Sequence, residues 1–438
     1  MPRLLADITP LRVSAAYRRI FFGNALSIIG TQITLLAVSL EVFALTQSSA
    51  AVGAIGLFAL VPLIVTGLYG GAIADSFDRR KVALASSLTL WLTTVCIFLH
   101  ALLGIHQVWV LYVLTAIHSG AGGINQPTRG AIIPALVGDK LLPSANALNM
   151  VLGSMSMMVA PVLGGALVAS VGFTWTYSID VVTFLGSLYS VWRLPPLPPQ
   201  EKRGVPGLRA VVDGFRFLAT RPNVRMTFLL DLCAMVLAAP RALAPAMAAY
   251  ALGGDTTTVG FLLAGTAVGA FLGGLFSGPL GHVVRQGLAV YLSVSAWGLS
   301  ILATGVVVLF AHPAAGGGFN WIAIVLAVFF MAVGGLVDTI SAVFRTTILQ
   351  SATPDHLRGR LQGVFVVVVA GGPRLGDALA GGMAGLWALV LGTSTLQHGS
   401  PGEGMTLLVG GLLCVLVAAL LVKLTPGFLH YDARDPQP

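Results

Sequence analysis

The sequence predicts an all-α integral membrane protein with twelve transmembrane helices in two related six-helix bundles, and three observations predict it. Hydrophobic residues make up 56% of the 438 and charged residues only 9%, where soluble domains carry roughly a quarter charged. That leaves too little polar surface to coat a fold in water. Apolar runs of about 20 residues recur along the whole chain; in lipid only helices and closed barrels satisfy the backbone, and runs of this length fit helices. Finally, Lys and Arg fall in alternate loops, as they do in a chain that crosses a bilayer repeatedly.

The expected spans run over 18–45, 50–74, 82–103, 108–133, 144–170 and 173–193, then 223–250, 257–281, 286–310, 321–350, 363–392 and 405–424. Ahead of them, Arg3, Asp7 and Arg12 interrupt the start of the chain and no apolar core precedes Ile20. The first apolar run is therefore expected to stay as a span and not to act as a cleaved leader. Between the two sets, Pro195, Pro196, Pro198 and Pro199 make a stiff connector. Leu208, Val211, Val212, Phe215 and Leu218 then recur at helical spacing, opposite Arg209, Asp213 and Arg216, as in an amphipathic helix lying on a membrane surface. The domains expected are 1–193, a six-helix bundle; 194–222, a cytoplasmic linker; and 223–438, a second bundle.

Segments near 46–50, 104–108, 171–173, 251–257, 311–321 and 393–404 hold no Lys or Arg, whereas the opposite ends carry Arg18, Arg19, Arg79, Arg80, Lys81, Lys140, Arg193, Arg285 and Arg358. The positive-inside rule then places both termini and the linker in the cytoplasm, with the chain in the cell's inner membrane. The net charge of +8 marks this topology and no nucleic-acid face. The two sets also echo one another. Arg129 with Asp139 recurs as Arg345 with Asp355, each pair joining two spans, as expected of duplicated halves around a midplane site.

Between the second and third spans stand Gly71, Asp75, Asp78, Arg79, Arg80 and Lys81. Glycines here let a helix approach, Asp75 can accept from a facing helix N-terminus, and the basic cluster stays on the inner side. Such an arrangement is a latch on the inner face, or else a tight turn whose basic residues only set topology. In the second half, Gly278 to His282 lack the acid and most of the basic cluster, so the latch is expected to be asymmetric.

This glycine, acid and basic cluster resembles the signature of the major facilitator superfamily at the place where that family carries it. The proline run after Leu194, the stretch from Gly214 to Leu218, and the stretch from Leu349 and Gln350 through Pro354 to Arg358, Gly359 and Arg360 resemble its enterobactin-exporter branch, which includes macrolide-efflux and Tap-type multidrug pumps. The likeness spans nearly the whole chain. It implies the major facilitator fold, with two pseudo-symmetric bundles, and proton-driven export of a siderophore or drug-like molecule.

Ionisable groups deep in a span cost a few kcal/mol each and are functional candidates by default. Glu41 in the outer part of span one is expected to face Arg241 of span seven as an outer gate, or else to be hydrated at the interface while Arg241 snorkels. Asp338, Arg374 and Asp377 are expected to share a depth and form either a proton site or a static ion pair. Arg129 pairs with Asp75 or Asp78 in the latch, or simply anchors its helix. Asn125 and Gln126 line the cavity or join helices, and Asp180 and Asp231 are further cavity candidates. His100, His106 and His118 show no partner and read as packed or solvated. Met150, Met155, Met157 and Met158 suit a flexible cargo wall but fit lipid-facing or core packing better. Cys96, Cys233 and Cys414 read as small buried apolar residues.

No His-Glu-x-x-His zinc motif, Gly-x-Ser-x-Gly elbow or phosphate loop occurs, so neither an enzyme nor a nucleotide-driven pump is expected. No cofactor is expected; the proton gradient is the energy source. The partners expected are a small-molecule substrate and membrane lipid, with the chain a monomer. A lipid flippase or uniporter on the same fold, or a sensor or scaffold that transports nothing, are the other classes open at this stage. The orientation is directly testable. Green fluorescent protein fused after residue 424 is expected to fluoresce and alkaline phosphatase fused there to be inactive; the reverse pattern places the C-terminus outside.

Overall fold

The computed structural model describes residues 7–198, 216, 218–278, 280, 283–314, 318–352, 366–391, 401–432 and 434, with side chains at all of these but 71, 72, 74, 75, 139 and 350. Every expected span falls on helix: Ala15–Thr46, Ser49–Ser76 and Arg79–Leu102, three spans inside Val108–Trp192, then Pro222–Ala251, Thr256–Leu275, Gln286–Phe310, Trp321–Ser351, 366–390 and Pro401–Leu424. The eighth stops at Leu275, short of the expected 281. Spans four to six form one 85-residue helical run broken only where Gly138 (φ 68°) and Gly172 (φ 77°) take the left-handed conformation. Only glycine reaches that region without strain, so each glycine turns the chain around on a single residue. The expected linker helix lies outside the described residues except for Arg216 and Leu218.

Large apolar side chains face outward in a way water would not permit. Leu389 is 81% exposed and Ile322 77%. Exposed Trp109, Trp175 and Trp321 stand at the ends of spans that carry no basic residues, where indoles favour the bilayer interface. At the opposite end of span six, the Arg193 guanidinium lies 5.5 Å from the ring of Trp192 and 5.6 Å from that of Tyr189. Cys96, expected to be buried, is exposed on the third span. Met150, Met155 and Met157 are exposed as well, which matches the lipid-facing reading.

The chain divides into two compact units, one of Met1–Glu41 with Phe58–Gly207 and one of Val42–Leu57 with Leu208–Pro438. The second thus takes in the outer ends of spans one and two, which the expected 1–193 bundle had kept with the first. Inside the first unit, Ile20, Ala83, Ile132, Val191 and Leu194 pack together one end of spans one, three, four and six. Beside them the buried Tyr17 hydroxyl donates to the Ala145 carbonyl at 3.0 Å.

Inside the second unit, span eight offers Gly265, Gly269 and Gly273, one per turn, to the backbone of Val328, Ala332 and Leu336 on span ten. Small residues four apart let helix backbones touch where lipid supplies no hydrophobic drive. A side chain at Gly269 would collide with the Ala332 carbonyl, whereas one at Gly274 meets open space. Gly269→Val is therefore expected to cost about 3 kcal/mol and lower the thermal unfolding midpoint in detergent by several degrees. Gly274→Val is the control; equal melting of both would show that the stripe does not hold these helices together.

Candidate functional site: charged clusters inside the spans

In the first unit, Arg129 on span four is held by four neutral oxygens. Its guanidinium and Nε donate to Asn24 Oδ1 (2.9 Å), Ser87 Oγ (3.1 Å), Asn125 Oδ1 (2.8 Å) and Ser187 Oγ (2.7 Å), one each from spans one, three, four and six. Asn125 is fixed in turn by donating to Ser86 Oγ and Ser87 Oγ, both at 2.9 Å. The expected pairing of Arg129 with Asp78 is replaced by this cradle, which takes four of the five N–H groups and, among the described side chains, supplies no carboxylate. Gln126, the next residue, is exposed.

Asp78 instead caps span three. Its Oδ1 accepts from Arg80 N (2.9 Å) and Leu197 N (3.1 Å), so the start of the linker is tied to the turn between spans two and three. Arg79 donates to the Ala131 carbonyl (3.1 Å) and Arg80 to the Trp192 carbonyl (2.7 Å). These latch residues thus gather the inner ends of spans three, four and six within one unit. The side chains of Gly71 and Asp75 lie outside the described residues.

Glu41 is buried in the first unit, and its Oε2 accepts from the Tyr177 hydroxyl at 2.6 Å. Its Oε1 stands 3.4 Å from His100 Nδ1. The predicted partner, Arg241, belongs to the second unit, is exposed, and acts on Asp377 beside Arg374. Span seven is broken at this point. Regular helix gives way to a π-turn at Cys233–Leu237 and a 3-10 turn at Arg241–Leu243, which rotates the outer half away from helical register. The Ala242 N–H exposed by that break donates to Asp377.

Asp338 does not join Arg374 and Asp377 as expected. It lies 3.3 Å from Arg345, one span-ten turn pair inward, and Arg345 also bonds Asp231 of span seven. Two turns of helix separate Asp338 from Arg345, so they share a face. Thr227, Phe228, Asp231, Ala342, Arg345 and Leu349 line a cavity of about 80 Å³ there, room for a few waters.

The two arginines are counterparts by sequence offset, and their partners correspond too: Asn24 and Asp231 each stand nine residues past the first residue of their helices. One half thus holds a guanidinium among neutral groups, and the other holds one between two carboxylates. Asp180 of span six, also buried, accepts from Thr34 Oγ1 at 2.8 Å.

Several groups were not anticipated. Glu403 is 6% exposed and accepts from Ser49 Oγ at 2.7 Å, and Tyr250 donates to Gln47, all within the second unit. The expected twelfth span began at 405, which left Glu403 in a loop; the helix begins at Pro401 and buries it. His100 gave no signal, because its partner lies 59 positions away on another helix. Cys233 and Cys414 lie with their sulfurs 3.9 Å apart, both buried.

The unequal charge of the Arg345 cluster sets an expectation. Arg345→Ala leaves two carboxylates without their cation and is expected to cost about 3 kcal/mol or more. Asp338→Asn, which leaves one cation with one carboxylate, is expected to melt within a degree or two of the unaltered protein. Equal loss in both variants, read by thermal unfolding in detergent, would show that the cluster is not charge-limited.

Comparison with known proteins agrees with this architecture. Residues 5–424 match the family model described as transmembrane secretion effector. The chain is 29% identical over 434 residues to the enterobactin exporter EntS of Escherichia coli strain K12, covering 99% of this chain and 97% of that one. Among solved structures it superposes on the nucleoside transporter NupG with a TM-score of 0.71 at 14% identity, covering 94% of this chain and 99% of that one. On the POT family transporter PepTSo the TM-score is 0.73 at 12% identity, with 96% and 99% covered. These structural likenesses speak for the fold. The family model covers nearly the whole chain, and the protein is a multi-pass membrane transporter, not an enzyme, belonging to the transmembrane secretion effector family of the major facilitator superfamily.

Proposed function

We propose that this chain is a proton-coupled secondary exporter of a siderophore or similar amphipathic small molecule, working by alternating access in the cell's inner membrane with both termini cytoplasmic. The observation that carries the reading is the pair of matched charged sites. Arg129, bonded among the described side chains to neutral groups alone, offers a cation to an acidic or hydroxylated cargo, while Asp231, Arg345 and Asp338 hold one carboxylate more than they have cations. A proton on that surplus carboxylate neutralises the cluster, and its departure restores the charge, which is the two-state behaviour a coupled exporter needs. The full-length likeness to an enterobactin exporter supports the cargo class.

The outer seal in this proposal is the set of contacts inside the second unit that hold the tips of spans one and two. Ser49 bonds Glu403, Gln47 accepts from Tyr250, and Gly53 and Gly56 rest on the backbone of Asp377 and Arg374. Opening outward requires these to part. Because Gly53 and Gly56 bring backbones together, the seal has no side-chain layer to rearrange and separates as a unit.

A second reading, lipid translocation, draws on an open cavity of about 570 Å³ in the first unit, walled by Pro62, Thr66, Ile73, Val82, Ala116 and Ile124 of spans two to four. Its apolar walls suit an acyl chain. Inverted proteoliposomes decide between the readings. Enterobactin is expected to accumulate several-fold more under an inside-acid gradient than without one, unaffected by lysolipid. Uptake indifferent to the gradient would remove proton coupling, and competition by lysolipid would favour the lipid reading. Glu403→Gln is expected to weaken the seal and raise gradient-independent leak of enterobactin; an unchanged leak would take Glu403 out of the seal.

A further inference from the structure

The first unit contains a buried polar column that the family likeness and the cargo reading leave unused. It runs between spans one, three and six in three layers. The outer layer is Glu41, His100 and Tyr177. The middle layer is Thr34, Thr94 and Asp180, where Asp180 Oδ2 accepts from Thr34 Oγ1 at 2.8 Å and lies 3.5 Å from Thr94 Oγ1. The inner layer is the Arg129 cradle of Asn24, Ser87, Asn125 and Ser187. The spacing is heptad-like on each helix: Thr34 to Glu41, Ser87 to Thr94 and Asp180 to Ser187 are each seven apart. Two helical turns, about 10 Å along one face, therefore separate the outer and middle layers on span one and the middle and inner layers on spans three and six.

Asp180 is the unusual member. It is 0% exposed, and its Oδ1 has no hydrogen-bond partner among the described residues. Its two polar neighbours are hydroxyls, which can donate or accept as the carboxyl group changes state. A methyl group on Gly30 of span one would collide with Oδ1, so a glycine there makes room for that oxygen. Among the described residues no basic side chain bonds it. A carboxyl group kept at this depth without a cation, beside reversible donors, gains nothing as a structural ion pair.

The outer layer has the complementary property. His100 is 2% exposed and neither ring nitrogen has an aligned hydrogen bond, although Nδ1 stands 3.4 Å from Glu41 Oε1. The ionisable groups facing this layer are Glu41 from span one, His100 from span three, Tyr177 from span six and His106 from the loop after span three. On span four, His118 is engaged by Thr93 at 3.2 Å, one residue from Thr94. Tyr177 and Asp180 are one turn apart on the same helix, so the two carboxylates are joined through span six.

We propose that Asp180 is a proton-binding site enclosed within the first unit, supplied from the outer end through the Glu41, His100 and Tyr177 cluster. The step involves one O–H bond made at Asp180 and one broken at the donor, with no other chemistry. Thr34 and Thr94 turn from donors to the carboxylate into acceptors or bystanders for the acid. The proposal rests on the proton-coupled reading for its purpose, but it places a site apart from the Arg345 cluster, and its test does not depend on cargo.

The test is infrared difference spectroscopy of the full chain in lipid nanodiscs, titrated with acid. The unaltered protein is expected to show the carbonyl band of a protonated carboxylic acid growing as pH falls, with a component absent in Asp180→Asn and retained in Asp338→Asn. Loss of no band in Asp180→Asn, or no titrating band in the unaltered protein, overturns the proposal. Should Asp180→Asn fail to reach the membrane, Thr34→Val and Thr94→Val serve instead; each is expected to move the midpoint of the same component, and unmoved midpoints in both overturn it. Failure of enterobactin to accumulate in proteoliposomes would defeat the exporter reading while leaving this spectroscopic result standing.

Discussion

Lipid offers no partner to a polar group, and that absence shapes the rest of the molecule. Each backbone N–H and carbonyl must be met by the helix that carries it, and each charge by a neighbour on another helix. Charged side chains therefore do not scatter through the spans. They gather where three or four helices converge, as around Arg129, or where two helices bring opposite charges together, as at Asp231 and Arg345. The same demand explains why span seven can be irregular. Its broken middle lies against other protein, where Trp297 Nε1 donates to the Ala234 carbonyl at 3.3 Å and Asp377 takes the Ala242 N–H.

The cost of a charge in the membrane depends on whether its hydrogen bonds or its charge are satisfied, and the two halves answer differently. Around Arg129 four of the five N–H groups are bonded and no described carboxylate meets the charge. Around Arg345 the charge is more than matched. Asp231 stands in the second half where Asn24 stands in the first, and with Asp338 beside it the sum around the guanidinium is one negative charge. The electrostatic difference between the halves thus rests on two carboxylates, Asp231 and Asp338, set against neutral amides and hydroxyls.

Much of the architecture was legible because the signals were long. Twenty apolar residues, a basic end and a glycine turn leave few alternatives, and the spans fall where their hydropathy puts them. Pairing between spans was not legible, since it depends on rotation of each helix about its axis. Glu41 was expected opposite Arg241 on depth alone, and its neighbours Tyr177 and His100 gave no sign of themselves; Pro240 marks a break in span seven but not the π-turn that precedes it. Asp338 was joined to the wrong arginine for the same reason, as depth matched Arg374 but the helix face matched Arg345. The heptad steps from Thr34 to Glu41 and from Asp180 to Ser187 stand in the sequence but drew no expectation there. Their meaning required knowing that spans one, three and six are neighbours.

Gly138 and Gly172 turn the chain on one residue apiece, so spans four, five and six have almost no loops between them. Loops are where homologous proteins usually absorb insertions and where proteases and antibodies find purchase. At these two corners that freedom is missing: an inserted residue would rotate everything beyond it by about 100° about the helix axis and turn lipid-facing side chains inward. Here the lineage can change by substitution but not by length, and an epitope tag or cleavage site engineered into this part of the molecule has nowhere to go.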